Sequence, residues 1–170
     1  MAAQDDRVRH PNRYKPEAQQ TRAIVAILLI LSAFLVAVIT IGGWTKLQGA
    51  KPVDLFYIVV YLLFAYYVIR WNRGVLPVAS ALAVLLIIFC AVAAPAWFGR
   101  DKTGFSHPAL DENLLGLLSL VLIPVSLLLI VFAMRGFQQG WNVEAGSRAD
   151  LEARGLLPGQ TPEPGPGAAS

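Results

Sequence analysis

Charge is what this chain has least of. Only 15% of its 170 residues are Asp, Glu, Lys or Arg, against about 25% in an ordinary soluble domain, and the mean hydropathy is +0.56. Cysteine is almost as scarce. Cys90 stands alone, which excludes an intramolecular disulfide, a thiol pair or a cysteine metal cluster, and its place inside an apolar run marks it as a small packing residue. Only two histidines occur, His10 and His107, far apart in the chain. The P-loop, the nucleophile elbow G-x-S-x-G, the zinc-protease motif H-E-x-x-H and a dinucleotide glycine fingerprint are all missing. These gaps leave no catalytic set, and no cofactor or metal site is expected.

What fills the space is apolar sequence. Spanning a bilayer core of about 30 Å takes about 20 apolar residues in a helix, and four stretches qualify: 23–43, 53–71, 78–97 and 114–134. No Asp, Glu, Lys, Arg or His lies well inside any of them, because Asp54 and Arg70 fall at the two ends of the second. Proton relays and bis-histidine haem sites keep ionisable groups within the membrane, so the chain offers no candidate for either. The first run is too long for the apolar core of a signal peptide and is followed by no A-x-A pattern, so it reads as an uncleaved anchor.

The flanks give an expected orientation. Arg7, Arg9, Arg13, Lys15 and Arg22, then Arg70 and Arg73, then Arg135, Arg148 and Arg154 fall on one side, whereas Lys46, Lys51, Arg100 and Lys102 fall on the other. Basic residues are retained in the cytoplasm, which predicts that both termini are cytoplasmic. Trp44, Trp71, Trp97 and Trp141 sit at or just past span ends, where indoles favour the headgroup layer, and are expected to act as interface anchors. The arm of residues 1–22 is polar, has two prolines and shows no period that buries a face. Beyond it and the four spans, residues 142–170 form a tail with a weakly capped helix over "SRADLEARG" and a Pro- and Gly-rich end that cannot build a core.

One loop gathers polar chemistry. "FGRDKTGFSHPALDENLLG" holds His107, Asp111 and Glu112, and imidazole and carboxylates can ligate zinc, but a zinc site needs three or four protein ligands. A structural role fits better: Ser106 or His107 caps a helix, Pro108 opens it, and the acids of its early turns complement the positive end of the helix dipole. "AKPVDLF" repeats the device with Pro52 and Asp54, and the likeness of the two loops hints at duplicated hairpins. In the second span Tyr57, Tyr61 and Phe64 fall on one helical face, suited to helix packing or, less commonly, to an apolar ligand with the phenols as handles. His107, Asp111, Glu112, Tyr57 and Tyr61 are therefore the candidate ligand or partner contacts. Ala33 and Ala37, and Ala79 and Ala83, have the small-xxx-small spacing that lets helices approach. Pro124 interrupts the hydrogen bonding of the fourth span.

Together these features predict an all-α, polytopic membrane protein: a four-span antiparallel helical bundle over residues 23–141 in a bacterial plasma membrane. The expected role is a non-catalytic accessory or scaffold subunit whose partners are the lipid bilayer and other membrane subunits or copies of itself, with no nucleic acid. The alternative is a small homo-oligomeric transporter or channel for a small or apolar solute, lined by Thr40, Ser80, Ser119, Ser126 and the tyrosines.

Overall fold

The structure is a computed structural model and describes residues 15–47, 49–100 and 108–141. Among the described residues there are four α-helices: α1 (Pro16–Gly42), α2 (Lys51–Ile69), α3 (Leu76–Phe98) and α4 (Glu112–Gln138). A 3-10 turn, Arg73–Val75, leads into α3. Each of the four is long and apolar enough to cross a membrane, so this is an all-α, four-span membrane protein. The arm up to residue 14, His107 and the tail after Trp141 lie outside the described residues.

Proline opens three of the helices. Pro16, Pro52 and Pro77 occupy their first or second positions, where a missing amide proton costs nothing. The fourth opens differently from the expectation. Pro108 precedes α4 rather than starting it, and Asp111 is the cap, its Oδ1 accepting from the amides of Asn113 at 2.9 Å and Leu114 at 3.3 Å. The reason lies in α1: the Leu110 amide donates to the Gly42 carbonyl, which commits residues 108–110 to the end of that helix. Residues Pro16–Arg22, read from the sequence as part of the polar arm, are the first turns of α1.

The packing follows heptad spacing. Ala18, Thr21, Val25, Leu28, Ser32, Leu35, Ile39 and Gly42 are buried along α1, and Leu115, Ser119, Leu122, Ser126, Leu129, Ala133 and Gly136 along α4. Steps alternating between three and four residues are those of helices that pack side by side at a small angle. α1 lies against α2 and α4, and α3 lies along α4, while α2 and α3 touch little although they are consecutive. The order around the bundle is thus α2, α1, α4, α3, with an open seam between the first and last. Small residues close the α3–α4 contact, including Ala79 and Ala83, both fully buried. Pro124 lies inside α4, which continues through it.

The end of the bundle where α1 begins and α4 finishes is held by two tryptophans. α4 stops at Gly140, whose φ of 59° is left-handed, as a helix-ending glycine usually is. α2 stops in the same geometry without glycine: Trp71 has φ 64°, its amide bonds the Val68 carbonyl and the Asn72 amide bonds that of Tyr67, a Schellman closure. A non-glycine residue there is strained by about 1–2 kcal/mol. Its side chain supplies the compensation. The Arg22 guanidinium lies 4.1 Å above the Trp71 ring and donates to the Ile69 carbonyl, and Trp141 meets Trp71 edge-on at 5.7 Å. Trp141 is wholly buried; its indole N–H donates to Gln139, whose amide donates to Thr21 of α1.

This arrangement makes a paired prediction for stability in detergent. Trp71→Ala and Trp71→Gly both lose the indole contacts, but Gly recovers the left-handed penalty, so Trp71→Ala is expected to be the less stable by about 1 kcal/mol. Thermal unfolding that ranks Ala equal to or above Gly would contradict a strained turn at this position.

Candidate functional site: a groove between α2 and α3

The open seam is a groove of about 500 Å³. Its walls are α2 from Ala50 to Tyr57 and α3 from Leu86 to Trp97, and its floor is Val36 and Ile39 of α1 with Ser119 and Leu122 of α4. At one end Tyr57 bridges the seam, donating from its hydroxyl to the Leu82 carbonyl at 3.2 Å and meeting Phe89 edge-on at 6.2 Å. At the other end stand Leu47, Ala50 and Trp97. The lining is almost wholly hydrocarbon. Asp54 is the one carboxylate among it, half-buried. The nearby Thr40 hydroxyl of α1 donates to its own helix, at the Val36 carbonyl.

The candidate residues from the sequence divide around this groove. Tyr57 lines it, whereas Tyr61 is fully buried one turn further on, in edge contact with Tyr57 at 5.6 Å. Asp111 is exposed and serves as the α4 cap, while the next residue, Glu112, is 3% exposed. The two adjacent acids thus lie in different surroundings, one open and one within the protein. Among the described residues no three His, Cys, Asp or Glu side chains come close enough to share a metal ion. Of the four tryptophans, Trp44 is exposed under the Lys51 ammonium at 4.5 Å, Trp71 is half-buried, and Trp97 and Trp141 are buried within the protein. Trp97 packs so closely on the end of α1 that a methyl on Gly43 would lie 2.8 Å from its ring.

Sequence reasoning took Asp54 for a helix-start acid, and it does sit in the first turn of α2. What it missed is that Asp54, Tyr57 and Tyr61 are spaced three and four apart, so the carboxyl shares the face that carries the aromatic stripe. That spacing was the available signal. The chain matches no protein-family model, no curated protein and no solved structure.

The two tyrosines make opposite predictions. The Tyr57 hydroxyl has a partner across the seam, but that of Tyr61 is buried with none. Tyr57→Phe is therefore expected to lower stability by about 1 kcal/mol, and Tyr61→Phe to leave it unchanged or raise it, since it removes an unsatisfied polar atom. Thermal melts in one detergent would check the order, and equal losses from both substitutions would count against the bridging role of Tyr57.

Proposed function

We propose that this protein is a non-catalytic accessory or scaffold subunit of a larger bacterial membrane complex, with both termini in the cytoplasm. The observation that carries the reading is the exposure of α2. A single stripe, Tyr57, Tyr61, Ala65 and Val68, is buried, and the rest of the helix presents large apolar side chains outward, among them Phe56, Leu62, Leu63 and Tyr66. Such a helix is half-committed to its own bundle and has a broad face for a neighbour. Membrane helices associate through close packing and not through exclusion from water, so an aromatic face beside a recess gives a partner shape to fit. The uneven distribution of Lys and Arg along the flanks supports the cytoplasmic placement of the ends.

A homo-oligomeric pore gains less support. Thr40, Ser80 and Ser119 are buried inside one bundle and return their hydroxyls to carbonyls four residues back in their own helices. A pore between copies would want them on outer faces. Gentle-detergent extraction from native membranes through a C-terminal tag, followed by native separation and mass spectrometry, tests the proposal. Stoichiometric membrane partners are the expected result, and they should be lost when Leu62 and Tyr66 are replaced together by Ala. A protein that runs alone under mild conditions would end the scaffold reading.

A further inference from the structure

We propose that the groove between α2 and α3 binds one compact tertiary amine as its ammonium, a cation with a single N–H, two short alkyl groups and one aryl-alkyl arm. The N–H donates to the Asp54 carboxylate, the short groups face Tyr57, and the arm runs outward between Ala50 and Ala93. The site stands apart from the scaffold reading, whose test residues, Leu62 and Tyr66, lie further along α2.

Space sets the size of the guest. Tyr57 closes the seam three residues beyond Asp54, about 4.5 Å further in at the rise of a helix, which admits methyl groups but no long chain. The outward direction is roomier. On α2, Ala50 lies about 6 Å from Asp54, and on α3 the lining runs about 12 Å from Phe89 to Trp97 with Ala93 and Ala96 between them. Two methylenes and a phenyl ring fit that length. A partner helix, about 10–12 Å across with its side chains, would exhaust the 500 Å³ in a single turn. Val53, Ile88 and Val92 are exposed along the rim, so a guest with apolar substituents has a way in from the hydrocarbon of the bilayer.

Charge sets the class. Asp54 is the one carboxylate among the described residues of the lining, and a carboxylate among hydrocarbon calls for a cation or for donors. The bases of that end are engaged elsewhere. The Lys51 ammonium lies over the Trp44 ring at 4.5 Å and the Arg100 guanidinium over the Trp97 ring at 5.4 Å, and among the described residues no base makes an ion pair with Asp54. Trp97 ends the α3 wall, so Arg100 stands at the mouth of the groove and not within it. An anionic guest held there would leave Asp54 unmatched, whereas a cation at Asp54 answers the charge that is inside.

The count of donors sets the substitution. The Ser119 and Tyr57 hydroxyls of the lining already donate to the Leu115 and Leu82 carbonyls. A primary ammonium has three N–H donors, and with one carboxylate to serve them it would leave at least one facing hydrocarbon, at a cost. A quaternary ammonium has none to give. A tertiary ammonium brings one donor to one carboxylate, in a charge-assisted bond that is stronger than a neutral one.

The test is equilibrium dialysis of the full-length protein in a non-ionic detergent, with uptake by protein-free micelles subtracted. The probes are N,N-dimethylphenethylamine, its uncharged carbon analogue isopentylbenzene, its quaternary N-methyl derivative and the anion phenylpropionate. One equivalent of the amine is expected to bind, with each of the other three about tenfold weaker. Asp54→Asn should bring the amine down to the level of its carbon analogue. Arg100→Gln should leave amine binding unchanged or strengthen it, because it removes a positive charge from the mouth. Ala93→Trp, which fills the berth of the arm, should abolish binding, and Ala96→Trp serves in its place if the first variant melts below the wild type. Amine uptake equal to that of the quaternary or carbon compound, preference for phenylpropionate, a loss of amine binding in Arg100→Gln, a co-purifying polypeptide that blocks uptake, or uptake undiminished by Asp54→Asn or by both tryptophan variants would each overturn the proposal.

Discussion

The left-handed closure at Trp71 decides how the second half of the molecule meets the first. A Schellman turn ordinarily asks for glycine, and α4 of this protein supplies one at Gly140. α2 supplies the largest side chain instead. The backbone cost is bearable because the indole is held from two directions, by the Arg22 guanidinium and by the edge of Trp141, and such contacts contribute about 0.5–1.5 kcal/mol each. The residue that ends α2 therefore binds it to α1 and α4. Arg73, two residues on, places its guanidinium 5.5 Å from the Phe137 ring of α4, so the link between α2 and α3 is fastened to the other two helices and not folded into a hairpin of its own.

Consequences run the length of the bundle. Since α2 is held to α1, and α3 to α4, the two walls of the seam are positioned by different partners. Nothing in their own contact has to bring them together, apart from the Tyr57 bridge to Leu82. In water such a seam would close to bury apolar surface. In a bilayer that drive is absent, because lipid tails are as apolar as leucine. An open groove is thus a cheap feature for this fold, and the polar atoms in it become the informative ones.

The number and type of elements were legible from the sequence because four uninterrupted apolar runs leave few alternatives. Helix starts were legible where proline marks them, at Pro52, and misread at Pro108, where the hydrogen bond from Leu110 to Gly42 overrides the local signal. The early turns of α1 were missed for a related reason: Ala18 and Thr21 extend the buried heptad of Val25 and Leu28, but a small residue and a hydroxyl do not register as an apolar face. Trp141 has the position of an interface indole, yet its surroundings are protein: Gly136, Leu76 and Trp71. Position along the chain gives depth in a membrane and does not give which side of a helix is occupied. The groove was illegible for the same reason, since it depends on which helices are neighbours.

Side-chain size explains which seam closed and which stayed open. α3 faces α4 with Ala79, Ala83 and Ala94, and α4 answers with Gly116, Ser119, Ala133 and Gly136; backbones lined with such residues can come close, and dispersion then rewards contact along the whole length. Between α2 and α3, beside the Tyr57 bond to Leu82, Tyr57 and Phe89 meet ring against ring at 89°. An edge-to-face pair of that kind is stable only with its centroids about 4.5–7 Å apart, and it holds the two backbones off by the width of the rings. Beyond the pair, towards Trp97, the walls carry Ala50, Ala93 and Ala96, too small to fill the spacing the rings impose. The groove therefore owes its width to the rings at one level and to the alanines at the next, and Asp54 lies on the wall between them.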